Sequence, residues 1–548
     1  MTKVKERRNN MKKRNFYSIL FATAVLGSSF TACSDNDEGG NLVQEIQTLQ
    51  EAEALIRGAY RPYQTLSSTF TSIVDTPTEL GTSYLGNEED NVTKMVTLEY
   101  DKESSYAVKT FNALYSGIGT VNDAIEKAEA STKLSEEEKQ LVIGEAKFSR
   151  GLFYSWLTVL WGEVPLRLTT SDANNTERAS IDDVYTQVVK DLTEAAEVLP
   201  ERPTSPINPS KGAAYALLTR VYLQWASVPL NYEEVKAIQT SRTDPAPKAW
   251  NTAYLREVIK YADKVKELGY TLQPNFEDLF GIANESKGPE QIFTIYHEGD
   301  GIDKQGNHQN HCAWTYPFEE ETQVIHIQPI HTFDDWPNDD PRKAFSIVTE
   351  ITDPRDGSVH SYYPPVNLPV YGKGVDRSTA NSVYTTQLYN YVDRIELRYA
   401  EVLLNKAEAL VQLGRNSEAE QPLNEIRKRG FKGDTSHNIS NPTLQDIQNE
   451  WEYEFIYEQR HWQNLTRWKN LISTVLTVQN FEHFDDSYAT AGGVGRDGHI
   501  VNTFFARIHR FLKAKYEHIN GHFYRFPIPY GSDGQDLGIV PQNPGYSD

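Results

Sequence analysis

Apolar residues recur at helical spacing along much of the chain. Across 137–161, Phe148, Leu152, Trp156 and Leu160 fall every four residues, the spacing of one helix face. Val184, Val188, Leu192 and Ala195 repeat that pattern across 181–199. Leu255, Val258, Ile259, Ala262 and Val265 do so across 250–268. Between them, Pro209-Ser210 precedes Ala214, Leu217, Leu218, Val221 and Trp225, which predicts a helix with Ser210 as its N-cap. A later pair is expected over 395–413 and about 417–429, joined at Gly414-Arg415-Asn416.

From Arg398 to Gly430 that pair has about the length of one tetratricopeptide repeat. Small Ala407, Ala409 and Ala419 let its two helices approach closely, with Leu423 and Ile426 on the second. Pro422 removes a backbone donor inside the second helix, so that helix is expected to kink or to start near Gln421. Helices are thus placed at about 45–60, 105–268 and 395–430. The stretches at about 60–105 and 270–390 hold clusters of Pro, Gly, Asn and Asp and no sustained helical period. They contain short β-like runs such as Gln291–Tyr296. Long irregular segments in a large protein usually carry function, so the site is sought there.

The N-terminus reads as an address. Lys12, Lys13 and Arg14 precede a charge-free, mostly apolar run from Phe16 to Phe30. That run is too short to span a bilayer and fits a signal sequence. Phe30-Thr31-Ala32-Cys33 resembles a lipobox, which makes 1–32 a lipoprotein signal peptide and Cys33 the lipidation site. The competing reading is an ordinary signal peptide followed by a chance cysteine. Met11 competes with Met1 as the true start. Residues 33–44 form an acidic linker, and Ser34-Asp-Asn-Asp-Glu-Gly-Gly40 resembles the tag that sends some Gram-negative lipoproteins to the cell surface. Acyl chains would anchor the protein without a transmembrane helix.

Charge and composition narrow the function. The 548 residues carry a formal charge of −22, which argues against nucleic acid as a partner. The leader holds seven of the 54 basic residues and one of the 76 acidic ones, so the chain beyond it carries −28. A mean hydropathy of −0.58 excludes a polytopic membrane protein. Two cysteines, Cys33 and Cys312, exclude a disulfide scaffold. No Gly-x-Ser-x-Gly, His-Glu-x-x-His or P-loop occurs. Gly493-Val-Gly-Arg-Asp-Gly498 follows no β-like run and reads as a loop. His297, His308, His311, His326 and His331 lack paired helical spacing and a nearby cysteine ligand set, so they read as solvated loop residues. Neither a metal nor a cofactor is expected.

Four stretches resemble the SusD/RagB family of surface lipoproteins. They are Glu145–Tyr154 with Leu160–Leu166, Ala213–Tyr222, Ile395–Leu404 with Leu423–Arg427, and the tail motifs Phe526-Pro-Ile-Pro529 and Gln542-Asn-Pro-Gly-Tyr546. Their order and spacing cover 45–548, with a family C-terminal region at 445–548. One departure lies in that region. Glu450, Glu454 and Glu458 remain, but Trp451-Glu452-Tyr453 stands where arginines are usual, and His461 and Asn464 replace an Arg and an Asp. The altered charge network is read as structural. The resemblance implies a mainly α fold, a right-handed superhelix of four TPR-like helix pairs supporting an irregular, loop-rich part with short β-strands. It also implies a non-enzymatic lid protein on the outer membrane that passes a glycan to a SusC-like TonB-dependent transporter. Some relatives take peptides instead, and the many carboxylates leave a surface glycoside hydrolase as a further alternative.

A sugar site needs exposed aromatic plates beside amides and carboxylates. Seven of the nine tryptophans lie on expected helices or helix ends and read as packing residues: Trp156, Trp161, Trp225, Trp250, Trp451, Trp462 and Trp468. Trp314 and Trp336 fall in the irregular middle and are the leading plates, with core packing as the competing reading for each. Tyr84 and Tyr316 are secondary plates, and Asn87 and Asp335 are candidate hydrogen-bonding groups.

Overall fold

Helices make up most of the described residues. The computed structural model describes residues 45–82, 91–203, 206–281, 288–296, 336–348, 350–352, 359–361, 370–373, 393–480 and 501–547. The first helices are α1 (Leu49–Val74), α2 (Asn91–Thr97), α3 (Ser105–Ala130), α4 (Glu136–Trp161), α5 (Ile181–Val198), α6 (Lys211–Ala226), α7 (Tyr232–Ile238) and α8 (Thr252–Glu267). Then come α9 (Pro341–Ser346), α10 (Tyr399–Gln412), α11 (Asn416–Gly430), α12 (Leu444–Phe455), α13 (His461–Trp468), α14 (Leu471–Leu476) and α15 (Val501–His518). Helix α1 packs on α3, α3 on α4, α4 on α5, α5 on α6, α6 on α8, α8 on α10, and α10 on α11. The fold is mainly helical, as expected.

Local chemistry sets the helix starts. Ser135 accepts from the Glu138 amide while Glu138 accepts from the Ser135 amide, a reciprocal cap that opens α4. Ser210 caps α6 through the Ala213 amide at 3.1 Å, as its sequence position predicts. Close approach then needs small residues. A Cβ on Gly117 of α3 would sit 2.6 Å from the Phe153 ring of α4, so nothing larger than glycine fits between them. Ala407, Ala409 and Ala419 are fully buried at the α10–α11 contact.

Two helices override their prolines. The expected end near residue 60 is wrong, because α1 runs through Pro62 to Val74, and α2 also falls in a stretch read as irregular. Ala52, Ile56, Ala59, Phe70 and Val74 form its buried stripe against α3 and α4. That burial outweighs the roughly 3 kcal/mol that an internal proline costs. Likewise α11 begins at Asn416 rather than near Gln421 and continues through Pro422, with Ala419, Leu423 and Ile426 buried.

The expected helix over 395–413 is also corrected at its start. Arg394–Arg398 is a strand, antiparallel to Gln291–Ile295, the β-like run read from the sequence. The ribbon lies against α6, with Ile292, Phe293, Ile295 and Leu397 buried. On that strand Glu396 pairs with Arg220, Arg394 and Arg460, and Arg398 with Glu290, Glu454 and Glu458. The other strands among the described residues are two- or three-residue pairs.

The tail motifs are a clasp. Asn543 donates to the carbonyls of Trp161 and Phe526, and Gln542 both donates to and accepts from the Ile528 backbone. The Trp161 indole donates to the Pro527 carbonyl at 2.8 Å. Gly162 ends α4 at φ +78°, where an added Cβ would meet Arg525 at 2.4 Å. The end of the chain is thereby bound to the end of α4.

Candidate ligand-binding site

Glutamates on and after α12 organise the region next to the irregular middle. Glu450 and Glu454 lie one turn apart on one face, and Glu458 follows the helix end. No arginine of the same helix answers them. Their partners come from elsewhere. Glu450 accepts from Arg342 and Arg427, each at 2.7 Å. Glu454 accepts from Arg342 at 2.9 Å, from Arg398 at 2.5 Å, and from Arg429. Glu458 pairs with Arg398 through two bonds of 2.8 Å and with Lys373 at 2.8 Å. Glu290 accepts from Arg398 at 2.8 Å and Arg429 at 3.1 Å. Burial alone would raise the Glu454 carboxyl, but the three guanidiniums hold it well below its usual range. Burial pushes the Lys373 ammonium down to about 8, although Glu458 opposes this. The substituted stretch Trp451-Glu452-Tyr453 therefore costs no partner to its glutamates.

Asp339-Asp-Pro-Arg342 ties part of the irregular middle to this lattice. Asp340 caps α9 by accepting from the Arg342 amide at 2.9 Å, with Pro341 at the first helical position. The Arg342 side chain, fully buried, then reaches Glu450 and Glu454.

Trp336 sits just before that turn and corrects the expectation of an exposed plate. It is 1% exposed and packs with Leu80, Ile347, Ile456 and Tyr457. Its ring stacks on Tyr453 at 5.2 Å between centroids and 19° between planes. Its carbonyl accepts from Lys343 at 2.8 Å. These apolar partners come from three remote segments, so the polar neighbours in sequence gave no sign of them. Trp336→Ala is expected to lower unfolding free energy by about 3 kcal/mol, the lower end for a buried aromatic, because its cluster is small. A thermal melt unchanged from wild type would show the ring to be dispensable to packing. Trp314, Tyr316, Tyr84, Asn87 and Asp335 lie outside the described residues, as do the five clustered histidines and Cys33. Of the helix-borne tryptophans, Trp156, Trp161, Trp451 and Trp462 are buried, and Trp225, Trp250 and Trp468 are partly so.

A cleft of about 170 Å³ opens beside the Trp336–Tyr453 stack. Arg427 and Phe431 line it from the end of α11, Asp446, Asn449 and Tyr453 from α12, and Ile439 from the loop between them. Thr443 and Asp446 form the reciprocal cap that starts α12. The Phe431 ring stacks on His437 at 3.8 Å and 5°. Burial and the nearby Glu452 and Glu450 raise the Tyr453 phenol to about 12, so it stays a neutral donor. These residues were not singled out from the sequence. Phe431 and Tyr453 each have charged neighbours there, and only the return of the chain after α11 brings them together. Among the described residues no group of His, Cys, Asp and Glu is arranged to hold a metal ion.

Two family models match the chain. One is described as starch-binding and associating with the outer membrane, and matches residues 40–223. The other is the SusD family, matching residues 268–546, just over half of the chain. A SusD-like protein of Formosa agariphila is 28% identical over 506 residues, covering 84% of this chain and 91% of its own. The crystal structure of a SusD homologue from Bacteroides thetaiotaomicron superposes with a TM-score of 0.72 at 22% identity, covering 92% of this chain and 98% of that one. A laminarin-binding SusD-like protein superposes with a TM-score of 0.67 at 18% identity, covering 91% and 99%. At these identities the two superpositions establish the fold alone.

Proposed function

The chain belongs to the SusD family, and on that premise we propose that it captures a glycan at the outer-membrane surface and passes it to a SusC-like TonB-dependent transporter. The observation that carries this reading is the family match over 268–546, the half of the chain that contains the irregular middle. The laminarin-binding relative supports an oligo- or polysaccharide ligand. The protein acts as a binding protein, and the array of helices, wound as a right-handed superhelix of four pairs, is its support. Trp314, with Tyr316, Tyr84, Asn87 and Asp335, remains the proposed binding face. Trp336, buried in the core, is not part of that proposal.

Native gels cast with soluble starch or laminarin test the ligand class. Retarded migration in at least one glycan, with no release of reducing ends, is the expected result. Migration unaffected by any glycan, together with measurable binding of a peptide mixture, would move the protein to the peptide-binding branch. Release of reducing ends would make it a glycoside hydrolase. Extraction in mild detergent is expected to recover an outer-membrane β-barrel with the protein. Recovery of the protein alone, under conditions that keep other such complexes intact, would count against a lid role.

The anchor is the acylated Cys33. Among the described residues no helix is long and apolar enough to cross a membrane. Cys33→Ala is expected to abolish incorporation of a fatty-acid analogue, because the thiol is the acceptor. Equal labelling of the variant and the wild type would reject Cys33 as the lipidation site.

A further inference from the structure

The cleft beside Tyr453 has the size and the free valences of a subsite for one sugar ring. An engineered cavity of about 150 Å³ holds benzene, a six-membered ring, whereas sites for drug-sized molecules start near 300 Å³. At about 170 Å³ the cleft has room for one ring. Its walls are mixed. The Phe431 ring and Ile439 supply apolar surface. Four polar groups around them are only partly used among the described residues. Arg427 donates through Nε to the His437 carbonyl and through Nη1 to Glu450, and its Nη2 makes no hydrogen bond. Asn449 accepts from Gln445 through Oδ1, and its Nδ2 has no acceptor. Asp446 uses Oδ2 for the Thr443 cap and leaves Oδ1 open. The Tyr453 hydroxyl likewise has no hydrogen-bond partner among the described residues. Two donors, one acceptor and one group that does both, set around apolar surface, match the rim and face of a pyranose.

Charge decides which pyranose. Arg427 is already neutralised by Glu450, and Asp340 by Arg342. Asp446 adds a carboxylate with no basic partner among the described residues. An anionic ring such as a uronate or a sulfated sugar would be repelled, and a neutral ring would not. We propose that this cleft, which Pro337 and Asp340 also line, is a binding subsite for a single neutral pyranose residue. The assignment rests on the reading of the protein as a glycan binder.

The test uses the lipidated full-length product in a detergent without sugar, with 5-fluorotryptophan in place of tryptophan. The Trp336 resonance is identified by its loss in Trp336→Phe. Trp336 stacks on Tyr453, so occupation of the cleft moves that resonance. The probes are the methyl glycosides of glucose, galactose, mannose and xylose, methyl glucuronide, and acetyl-phenylalanine amide. At least one neutral glycoside is expected to shift the Trp336 signal saturably, and Asn449→Leu, with an unchanged melt, to raise the midpoint threefold or more. The proposal is overturned if no neutral glycoside moves the signal, if the glucuronide or the amide moves it at equal or lower concentration, or if the Asn449→Leu midpoint is unchanged. Retardation in glycan gels without any response of Trp336 would remove the cleft and keep the glycan-binding reading. A saturable Trp336 response without gel retardation would keep the cleft and remove starch and laminarin as the captured polymers.

Discussion

Glu454→Gln is expected to destabilise the protein by about 3–5 kcal/mol, the usual cost of removing one partner from a buried ion pair. Glu454 is fully buried and is shared by Arg342, Arg398 and Arg429. Those arginines come from α9, the end of the Arg394–Arg398 strand, and α11. Glutamine keeps the volume but removes the charge, and it turns one acceptor into a donor that faces guanidinium. The three cations are then left in the core with less compensation than they need. The loss is a large fraction of a typical folding free energy, so the urea midpoint should fall sharply. A change below about 1 kcal/mol, the size seen for exposed pairs, would show that the lattice is not the structural centre of this region.

Acid should act on the same kind of group. Burial would raise the Glu396 carboxyl, but Arg394, Arg460 and Arg220 outweigh it and hold the group at about 2, against 4.5 in a free chain. The folded value is depressed, so its contribution is fully present above pH 4.5 and is lost as pH falls towards 2. Glu396→Gln is expected to flatten the dependence of stability on pH across that window. An unchanged slope would show that other carboxylates govern acid unfolding.

Trp156→Ala is expected to cost about 3–5 kcal/mol, the range for a large aromatic removed from a core. The ring is 1% exposed and meets Phe70 edge-on at 4.6 Å. Its Nε1 donates to Glu396 at 3.3 Å, and the guanidiniums of Arg220 and Arg460 lie 5.8 Å from its centre. Truncation therefore opens a cavity and also withdraws a donor from a charged cluster. Glycan retardation by protein that remains folded should be unchanged, since the residue is far inside the helical array. A melt close to that of wild type would mean that the core refills the space.

Helix positions were legible wherever one apolar stripe repeated over several turns. Phe148 to Leu160 announced α4, Val184 to Ala195 announced α5, and Ser210 marked the start of α6. Each signal is local, because the period of four and the cap lie within a few residues of one another. The family was legible for a related reason. Its motifs sit where chain segments must meet, as the tail motifs do at Trp161 and Phe526.

What only the tertiary structure decided depends on residues far apart in the chain. Pro62 and Pro422 predict helix ends, and packing on neighbouring helices overrides them. Ile395–Arg398 continues a helical pattern in sequence, yet forms a strand because Gln291–Ile295 lies beside it. Trp336 has polar neighbours in the chain and apolar neighbours in space, so composition pointed to the surface and contact put it in the core. The cleft joins Arg427 on α11 and Phe431 just after it to Asn449 and Tyr453 on α12, and no local period encodes that juxtaposition. By itself the sequence determined the helical class, the starts of α4, α5 and α6, and the family, since these are written in short-range pattern and motif. Burial, ion pairing and the shape of a site are properties of pairs brought together by folding, and a linear pattern does not name the partner.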